Sequence, residues 1–396
     1  MSYGQGMVAA PAMVRGWCAG LGPGSPTVIT FESVSKRYND GTLALDAFDL
    51  VLPADQTTAI VGPPRSGRST VLRLINRLED PTSGRVLIDG RDVSRLDPVR
   101  LRRGMGFVTS DAGFFPHRTI GENLALVPRA MGWDRDAIAA RITEVVEAVG
   151  LDPFVTTRFG HELDRMDLHR AALAWAVVAD PPVLLIDDPF SSLAPAERKL
   201  LYRTVADVQA RHPRTVAMVT NDVDEAMTMA DRVVVLAPGG RLAQEGTPVE
   251  LLTVPIDDAA VAIVGQHRGL ARLALIALAD VRPTRSPVVT PDASGAEAIA
   301  AAATGDSPWV LVVGADDELL GWADTSRLSN GGRVTDTPLL AVEHTVGRRD
   351  TLLTALDQMV ISPARMAVWS DGDGRLGGVI TRSVLEPHLP VAGALG

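Results

Sequence analysis

The sequence predicts an α/β protein with more than one domain and a mostly parallel sheet in the first of them. Hydrophobic residues make up 46% of the chain and aromatic residues only 4%, a balance typical of aliphatic sheets covered by helices. Short β-branched runs alternate with segments of helical periodicity, which is the pattern of a βαβ sheet. The length of 396 residues is right for two or three domains.

Charge and composition exclude several classes of protein. The formal net charge of −10 argues against a nucleic-acid binder, which needs a basic face to neutralise phosphates. The single cysteine, Cys18, excludes an intramolecular disulfide and is consistent with a reducing compartment. No apolar run approaches the roughly 18 to 20 residues that cross a bilayer. We therefore expect any contact with a membrane to be made through a partner protein.

The N-terminal part of the chain predicts an extension followed by an edge sheet. Residues 1–27 are rich in Gly, Ala and Pro and are expected to form a flexible extension, not a signal peptide. A start at Met7 or Met13 is the alternative. Apolar alternation then predicts two paired strands, Val28 to Val34 and Leu45 to Leu52, which form an antiparallel edge sheet.

The next segments predict an α/β core that is interrupted by helices. A strand from Thr57 to Val61 leads through a Gly/Pro/Ser loop into an amphipathic helix from Ser69 to Leu78. Residues 111–180 are predicted to be mostly helical, with clear periodicity from Asp134 to Val149. Three further strands and one helix complete the predicted βαβ pattern: Val183 to Ile186, Thr215 to Thr220, Glu225 to Met229 (the helix) and Arg232 to Leu236.

A weak internal repeat begins after about residue 275. The triplet 310–312 aligns with 366–368, and 320–322 aligns with 376–378. Each copy predicts a strand, an Asp/Gly turn, a second strand and a helix. Two small α/β modules are therefore expected over residues 276–390.

The segment Gly62 to Thr70 has the spacing of a phosphate-binding P-loop, and it lies between a predicted strand and helix as that site requires. Backbone N–H groups and the helix N-terminus would hold phosphates, and the Ser69 hydroxyl would bind Mg²⁺. An ordinary glycine-rich turn is the alternative. The residues predicted to bind nucleotide here are Gly62, Ser66, Gly67, Arg68, Ser69 and Thr70.

A second motif strengthens that prediction. The apolar strand from Val183 ends in Asp187 and Asp188, which places a carboxylate where it can hold Mg²⁺ opposite Ser69. A turn carboxylate at the end of a strand is the alternative for Asp187. Together the two motifs predict ATP and Mg²⁺ as ligands.

Five further segments carry a resemblance to a known family: 35–38, 74–78, 115–120, 222–226 and 246–248. With them, residues 28–270 resemble the ATP-binding subunits of ABC importers for quaternary amines such as glycine betaine, choline and proline, and residues 276–390 resemble their tandem CBS modules. The resemblance implies a P-loop ABC nucleotide-binding domain, with an antiparallel edge sheet and a helical subdomain over about 111–180, plus a C-terminal CBS pair.

The resemblance also implies roles and partners. Tyr38 matches the position that stacks on adenine, with a half-buried hairpin tyrosine as the alternative, and residues 115–117 match the region that docks on a permease. The implied partners are an integral membrane permease, a second nucleotide-binding subunit and, indirectly, an extracytoplasmic substrate-binding protein. The implied location is the cytoplasmic face of the membrane.

Several residues depart from the family at its chemical positions. Arg68 replaces the P-loop lysine, Ser110 the glutamine that contacts Mg²⁺, Asp188 the catalytic glutamate and Asn221 the switch histidine. Asp188 is one methylene too short for a base that must touch water, and a lost base costs about 10²- to 10⁴-fold. Pro64, Arg65 and Ala194 are further departures.

The signature loop also departs from the family sequence. The residues that stand in place of Ser-Gly-Gly-Gln are Asp164, Arg165, Met166 and Asp167. They put acids where a helix N-terminus normally faces the partner's triphosphate; helix capping by Asp164 is the alternative.

We therefore expect an importer subunit with weak or absent ATPase activity. A non-catalytic regulator that senses adenine nucleotide or ionic strength through its CBS-like modules is the second hypothesis. An unrelated P-loop enzyme is disfavoured, because no acceptor site is visible.

Overall fold

A computed structural model describes residues 27–110, 112–253, 257–264, 268–303, 307–315, 317–329, 331–370 and 375–388. The predicted N-terminal extension, with Cys18, lies outside the described residues apart from Thr27, and so do residue 111 and the last two residues of the 276–390 segment. Two compact units make up the chain, and they divide between Val264 and Gly265. No helix in the described ranges is long and apolar enough to cross a bilayer.

The first unit contains two sheets. Its described strands are β1 (Ile29–Arg37), β2 (Leu43–Leu52), β3 (Thr57–Val61), β4 (Ser83–Ile88), β5 (Arg91–Asp92), β6 (Met105–Thr109), β7 (Val183–Asp187), β8 (Thr215–Val219), β9 (Arg232–Ala237) and β10 (Arg241–Gly246). A four-stranded antiparallel sheet has the order β2-β1-β4-β5, as predicted for the edge sheet. The larger sheet has the order β10-β9-β3-β8-β7-β6, and its strands are parallel except β10.

Burial explains the composition of the parallel strands. All five residues of β3 and of β8 are buried, and only Asp187 of β7 is partly exposed. Strands covered on both faces need continuous apolar runs, in contrast to the alternation along β1. The core between the sheets joins aliphatic side chains of both, and Phe31 and Phe48 meet edge-on within it.

Helices surround the parallel sheet. The described helices of the first unit are α1 (Arg68–Ile75), α2 (Pro98–Arg103), α3 (Ile120–Leu124), α4 (Leu126–Ala130), α5 (Arg135–Ala148), α6 (Arg165–Val177), α7 (Pro195–Arg211), α8 (Val223–Met229), α9 (Pro248–Thr253) and α10 (Asp258–Val264). Residues 112–180 are mostly helical, as predicted. The predicted end of α1 at Leu78 is wrong by three residues, because Arg77 has a φ of +53° and Leu78 N–H donates back to the Arg73 carbonyl.

A buried arginine joins two helices of the helical segment. Arg141 of α5 donates to the carbonyls of Val177 and Val178, which end α6, and pairs with Glu144 and Asp180. These bonds satisfy carbonyls that the helix leaves without partners.

The second unit contains the predicted repeat. Its described elements are α11 (Arg268–Leu275), β11 (Val288–Val289), α12 (Gly295–Ala302), β12 (Trp309–Val313), β13 (Leu319–Asp324), α13 (Leu352–Ile361), β14 (Ala367–Ser370), β15 (Leu376–Ile380) and α14 (Arg382–Leu385). β12 and β13 form one antiparallel pair, and β14 and β15 another. Gly321 and Gly378 occupy equivalent positions, opposite Val312 and Trp369 in the paired strands, with φ of +144° and +142°. The predicted alignment, which set Gly321 against Gly377, is therefore wrong by one residue. The helix predicted after the first pair is only a 3-10 turn, Thr325–Arg327.

Candidate nucleotide site

The loop between β3 and α1 has the conformation that its glycines dictate. Gly67 precedes α1 with a φ of +92°, and a Cβ there would collide with the Ala44 carbonyl. Ser66 N–H donates to Pro63 O at 3.2 Å, and its side chain is 1% exposed with a hydroxyl that has no partner among the described residues. Arg65 stands exposed with a φ of +66°. The loop is a tight turn with a basic side chain on its surface.

The predicted magnesium ligands meet at the carboxyl edge of the sheet. β3 and β7 flank β8, so the residues that follow them lie on the same edge. Ser69 Oγ donates to Asp187 Oδ1 at 3.1 Å. Burial raises the pKa of Asp187, and the Ser69 hydrogen bond opposes that rise. A hydroxyl and a carboxylate are hard oxygen donors, so this pair fits Mg²⁺ with phosphate and water as further ligands.

Three of the altered positions form one hydrogen-bonded chain. The Arg68 guanidinium donates to Thr220 O at 3.0 Å and to Asn221 Oδ1. The amide of Asn221 then donates to Asp188 Oδ2 at 3.0 Å. Burial lowers the pKa of Arg68, and the charges of Asp188 and Asp187 oppose that shift. The residues predicted at the phosphate lysine, the switch histidine and the catalytic base therefore satisfy one another.

Ser110 and the backbone of Asp188 also lie at this edge. Ser110 is exposed and follows Thr109, which pairs with Asp187 across β6 and β7. Asp188 has a φ of +45°, and its N–H donates to Val219 O at 2.8 Å.

Tyr38 lies beside the first turn of α1. Its hydroxyl is 3.2 Å from Thr70 Oγ1, and the ammonium of Lys36 lies 5.1 Å from the centre of its ring. The half-buried tyrosine is thus brought next to the predicted nucleotide loop.

The altered signature loop begins α6. Asp164 is the N-cap and accepts from Asp167 N at 2.8 Å. Arg165 turns away to donate to Ser192 O at 2.7 Å, and Asp167 pairs with Arg170 at 3.5 Å. Helix capping by Asp164, the alternative in the sequence, is present in the structure.

Residues to which the sequence analysis assigned no role in the site lie behind it. Thr220 Oγ1 donates to Glu225 Oε2 at 2.5 Å and accepts from Asp222 N. Glu225 is 2% exposed, and its other oxygen has no partner in the described structure. Burial, with the charges of Asp222 and Asp188, raises its pKa to about 7. The three-residue spacing of Asp222 and Glu225 signals a helix start but not this burial.

The sheet order, the loop between β3 and α1, and the paired oxygens of Ser69 and Asp187 define a P-loop nucleotide-binding protein. A family model described as ABC transporter matches residues 45–191. The glycine betaine/carnitine/choline transport ATP-binding protein OpuCA of Bacillus subtilis is 31% identical over 366 residues, which cover 90% of this chain and 95% of that protein. The chain therefore belongs to the ABC transporter family of ATP-binding proteins.

A second relative and two solved structures support the same family and fold. The osmoprotectant import ATP-binding protein OsmV of Salmonella typhimurium is 31% identical over 91% of this chain and 96% of its own length. Among solved structures, cbiO1 from Clostridium perfringens has a TM-score of 0.54 at 26% identity and covers 57% of this chain and 91% of its own. A dimeric bacterial ABC transporter cassette has a TM-score of 0.51 at 26% identity, over 56% of this chain and 98% of its own. The predicted ABC nucleotide-binding fold is confirmed.

Proposed function

We propose that this chain is the ATP-binding subunit of an importer for a quaternary-amine osmoprotectant, and that it hydrolyses ATP weakly or not at all. The names of OpuCA and OsmV, each matched along nine-tenths of this chain, support the substrate class. The single observation that carries the weak hydrolysis is the hydrogen-bonded chain from Arg68 through Asn221 to Asp188.

ATP binding is assigned to the loop and its neighbours. The N–H groups at the start of α1 would hold the phosphates, with Gly62, Ser66, Gly67 and Thr70 shaping the loop and Tyr38 beside the base. Ser69 and Asp187 would hold Mg²⁺, which neutralises phosphate charge when bound. Arg68 already donates to Thr220 O and Asn221 Oδ1, so only its remaining N–H groups are available to the phosphates.

Weak hydrolysis follows from the hydrogen bonds that occupy the side chains at the catalytic positions. Asp188 Oδ2 accepts a hydrogen bond from Asn221, which holds that oxygen against a protein group instead of an attacking water. Asn221 is held on both sides, because its Oδ1 accepts from Arg68 and its amide donates one N–H to Asp188. This fixes the orientation of the amide, and an amide carries no charge to stabilise a developing phosphate charge. Ser110, at the glutamine position, is too short to span the gap to Mg²⁺. A loss of about 10²-fold or more relative to an intact site is expected.

Partners follow from the exposed surface of the helical segment. Phe115 and Phe154 expose apolar rings, Phe154 to 78%, and a groove of about 530 Å³ lies between α3 and α5. We assign the membrane permease to this surface, which places the chain at the cytoplasmic face. A second nucleotide-binding subunit completes the transporter, and the substrate-binding protein contacts it only through the permease.

The second candidate is a non-catalytic regulator that senses ligands through its C-terminal repeats. A cavity of about 310 Å³ in the second unit, lined by Trp322, Glu343, His344 and Met366, favours a ligand site there. Among the described residues no Lys or Arg lines this cavity, so that lining lacks the counter-charge that a nucleotide phosphate needs. The cavity therefore suits a compact uncharged or cationic ligand better than ATP. Of the two signals in this hypothesis, it favours ionic strength over adenine nucleotide.

The experiment measures ATP·Mg²⁺ binding and phosphate release on the purified chain, alone and with its co-expressed permease in vesicles that report glycine betaine or choline uptake. OpuCA of Bacillus subtilis, treated identically, is the reference. We expect measurable binding with phosphate release at least about 10²-fold slower than the reference. Release as fast as that of OpuCA would refute the weak hydrolysis, and a failure to associate with the permease would refute the importer.

A matched series of variants tests the hydrogen-bonded chain itself. Because Asn221 stays bonded to Arg68 and can still donate to a carboxylate at position 188, D188E alone should leave hydrolysis low. The triple change R68K, D188E and N221H frees all three positions and should raise it. Equal rates in the single and triple variants would show that the chain does not limit catalysis.

A further inference from the structure

One wall of the cavity in the second unit is a short segment that is fixed at both ends. Backbone hydrogen bonds run in both directions between Trp322 of β13 and Leu340, at 2.7 and 2.9 Å. Val346 exchanges two backbone hydrogen bonds with β14, at 2.8 and 2.9 Å. The chain therefore crosses from one hairpin to the other between these anchors, and residues 340–344 line the cavity of about 310 Å³.

The inner lining of this cavity is apolar and its outer lining is polar. Trp322, which is 2% exposed, belongs with Met366 and Val368 to the buried cluster that joins the two hairpins. Glu343 and His344 are exposed residues of the segment between the anchors. Glu343 makes no ion pair with any described residue, so its negative charge is available to a ligand in the cavity.

The C-terminal end of α13 lines another side of the cavity. This helix has 10 residues and ends at Ile361, and both Ile361 and Ser362 line the cavity. The C-terminus of a helix carries partial negative charge, which favours a cation and opposes a phosphate. The hydroxyl of Ser362 is buried and has no hydrogen-bond partner among the described residues. Arg365, close by in the chain, donates to Val360 O at 3.0 Å and is not part of the lining.

The chemistry of this lining selects for one kind of ligand. An aromatic ring, a carboxylate without a counter-ion and a helix C-terminus all attract positive charge. A quaternary ammonium group covers its charge with methyl groups and has no N–H to donate, so an aromatic and apolar cavity with one acid suits it. Ligand pockets usually measure about 300 to 1,000 Å³, and this one lies at the low end of that range. The ligand is therefore a compact organic cation.

We propose that this cavity binds a quaternary-ammonium cation such as choline, with Glu343 as its counter-ion and Trp322 as its aromatic contact. The site is separate from the nucleotide loop, since the described residues that line it all belong to the second unit. The inference rests on the proposed function in one respect, because the ligand is of the class that the importer is proposed to carry. The second unit then senses the cargo itself, and its occupancy follows the concentration of cargo around the chain.

The experiment is a titration of the full chain, without nucleotide, followed by saturation-transfer NMR on the methyl signal of choline. Sodium chloride replaces choline chloride at each step, so that the ionic strength stays constant. We expect saturable binding with a Kd of about 0.1 to 10 mM, the range open to so compact a ligand. The tert-butyl analogue of choline, in which carbon replaces nitrogen, has nearly the same shape and no charge. It should bind at least about tenfold more weakly.

Two variants with the same chemical change test the counter-ion. E343Q removes the charge at the cavity, so it should weaken choline binding by about tenfold or more and leave binding of the neutral analogue unchanged. Because Glu343 is exposed, the melting temperature should stay near that of the parent. E318Q makes the change at another exposed glutamate of the second unit, outside the lining, and should leave the binding of both compounds unchanged.

The outcomes separate this inference from the proposed function. No saturable binding of choline, equal binding of its neutral analogue, or full binding in E343Q would overturn the inference and leave the importer subunit standing. Displacement of choline by adenosine would assign the cavity to an adenine ligand and would overturn it as well. Charge-dependent binding of choline in a chain whose permease imports no quaternary amine would support the site and refute the proposed function.

Discussion

Replacing Glu225 by Gln should change how the stability of the protein depends on pH. Glu225 is 2% exposed, accepts a hydrogen bond from Thr220 on one oxygen and has no partner for the other among the described residues. Burial, reinforced by the charges of Asp222 and Asp188 and opposed by Arg198, raises its pKa from 4.5 to about 7. The folded protein therefore holds this proton more tightly than the unfolded chain does.

The sign and size of the effect follow from linkage. A carboxyl whose pKa is raised on folding contributes full stability below pH 4.5 and loses it as the pH rises through about 7. At about 1.4 kcal/mol per pKa unit, the free energy of unfolding should fall by about 2.5 kcal/mol between about pH 5 and pH 8 from this group alone. E225Q keeps an oxygen for Thr220 and cannot ionise, so it should lack that fall.

Urea unfolding followed by circular dichroism at several pH values tests this reasoning. The quantity of interest is the stability difference between parent and E225Q, because groups common to both cancel. The same change at exposed Glu147 is the control for replacing a surface carboxyl by an amide. A parent-minus-E225Q difference that is constant from about pH 5 to pH 8 would refute the raised pKa and with it the buried state of this carboxyl.

Three further predictions concern packing and docking. G240A should lower the free energy of unfolding by at least about 3 kcal/mol, because its Cβ would collide with the Ala44 carbonyl. G239A has a similar positive φ but open space around the Cβ, so it should cost only about 1 kcal/mol. Equal losses of stability in thermal unfolding would contradict this. R141A should cost about 1 to 3 kcal/mol, because the carbonyls of Val177 and Val178 lose their donor, and R135A, at an exposed residue, should cost close to nothing; chemical denaturation tests the difference. F154S should weaken co-purification with the permease and leave the melting temperature unchanged, and undiminished co-purification would remove Phe154 from the docking surface.

Much of the first unit could be predicted from local pattern and topology. The strand–loop–helix at residues 57–75 and the acid that ends β7 converge because parallel strands end at one edge of a sheet. The edge sheet and the repeat hairpins follow from alternation and turn residues, which act over a few positions. These features depend on residues that are close together in the chain, so one sequence is enough to predict them.

Other features depend on side chains that meet across long stretches of sequence. That Arg68 bonds the end of β8 could not be deduced, because its partners lie more than 150 residues away and the choice among rotamers is made by packing. The burial of Glu225 is equally invisible, because an acid in the first turn of a helix is usually solvated. The left-handed backbone of Arg77 ends α1 early, at Ile75, and no pattern of apolar residues predicts that conformation.

The order of strands in the large sheet has a consequence for synthesis of the protein. β3 emerges early, yet its neighbours β8 and β9 begin only at Thr215 and Arg232. At about 5 to 20 residues per second, a ribosome needs roughly ten seconds or more to supply them. Throughout that time neither edge of the apolar strand β3 has its native partner. We therefore expect a chaperone to bind the nascent chain until β9, the last parallel strand, leaves the exit tunnel.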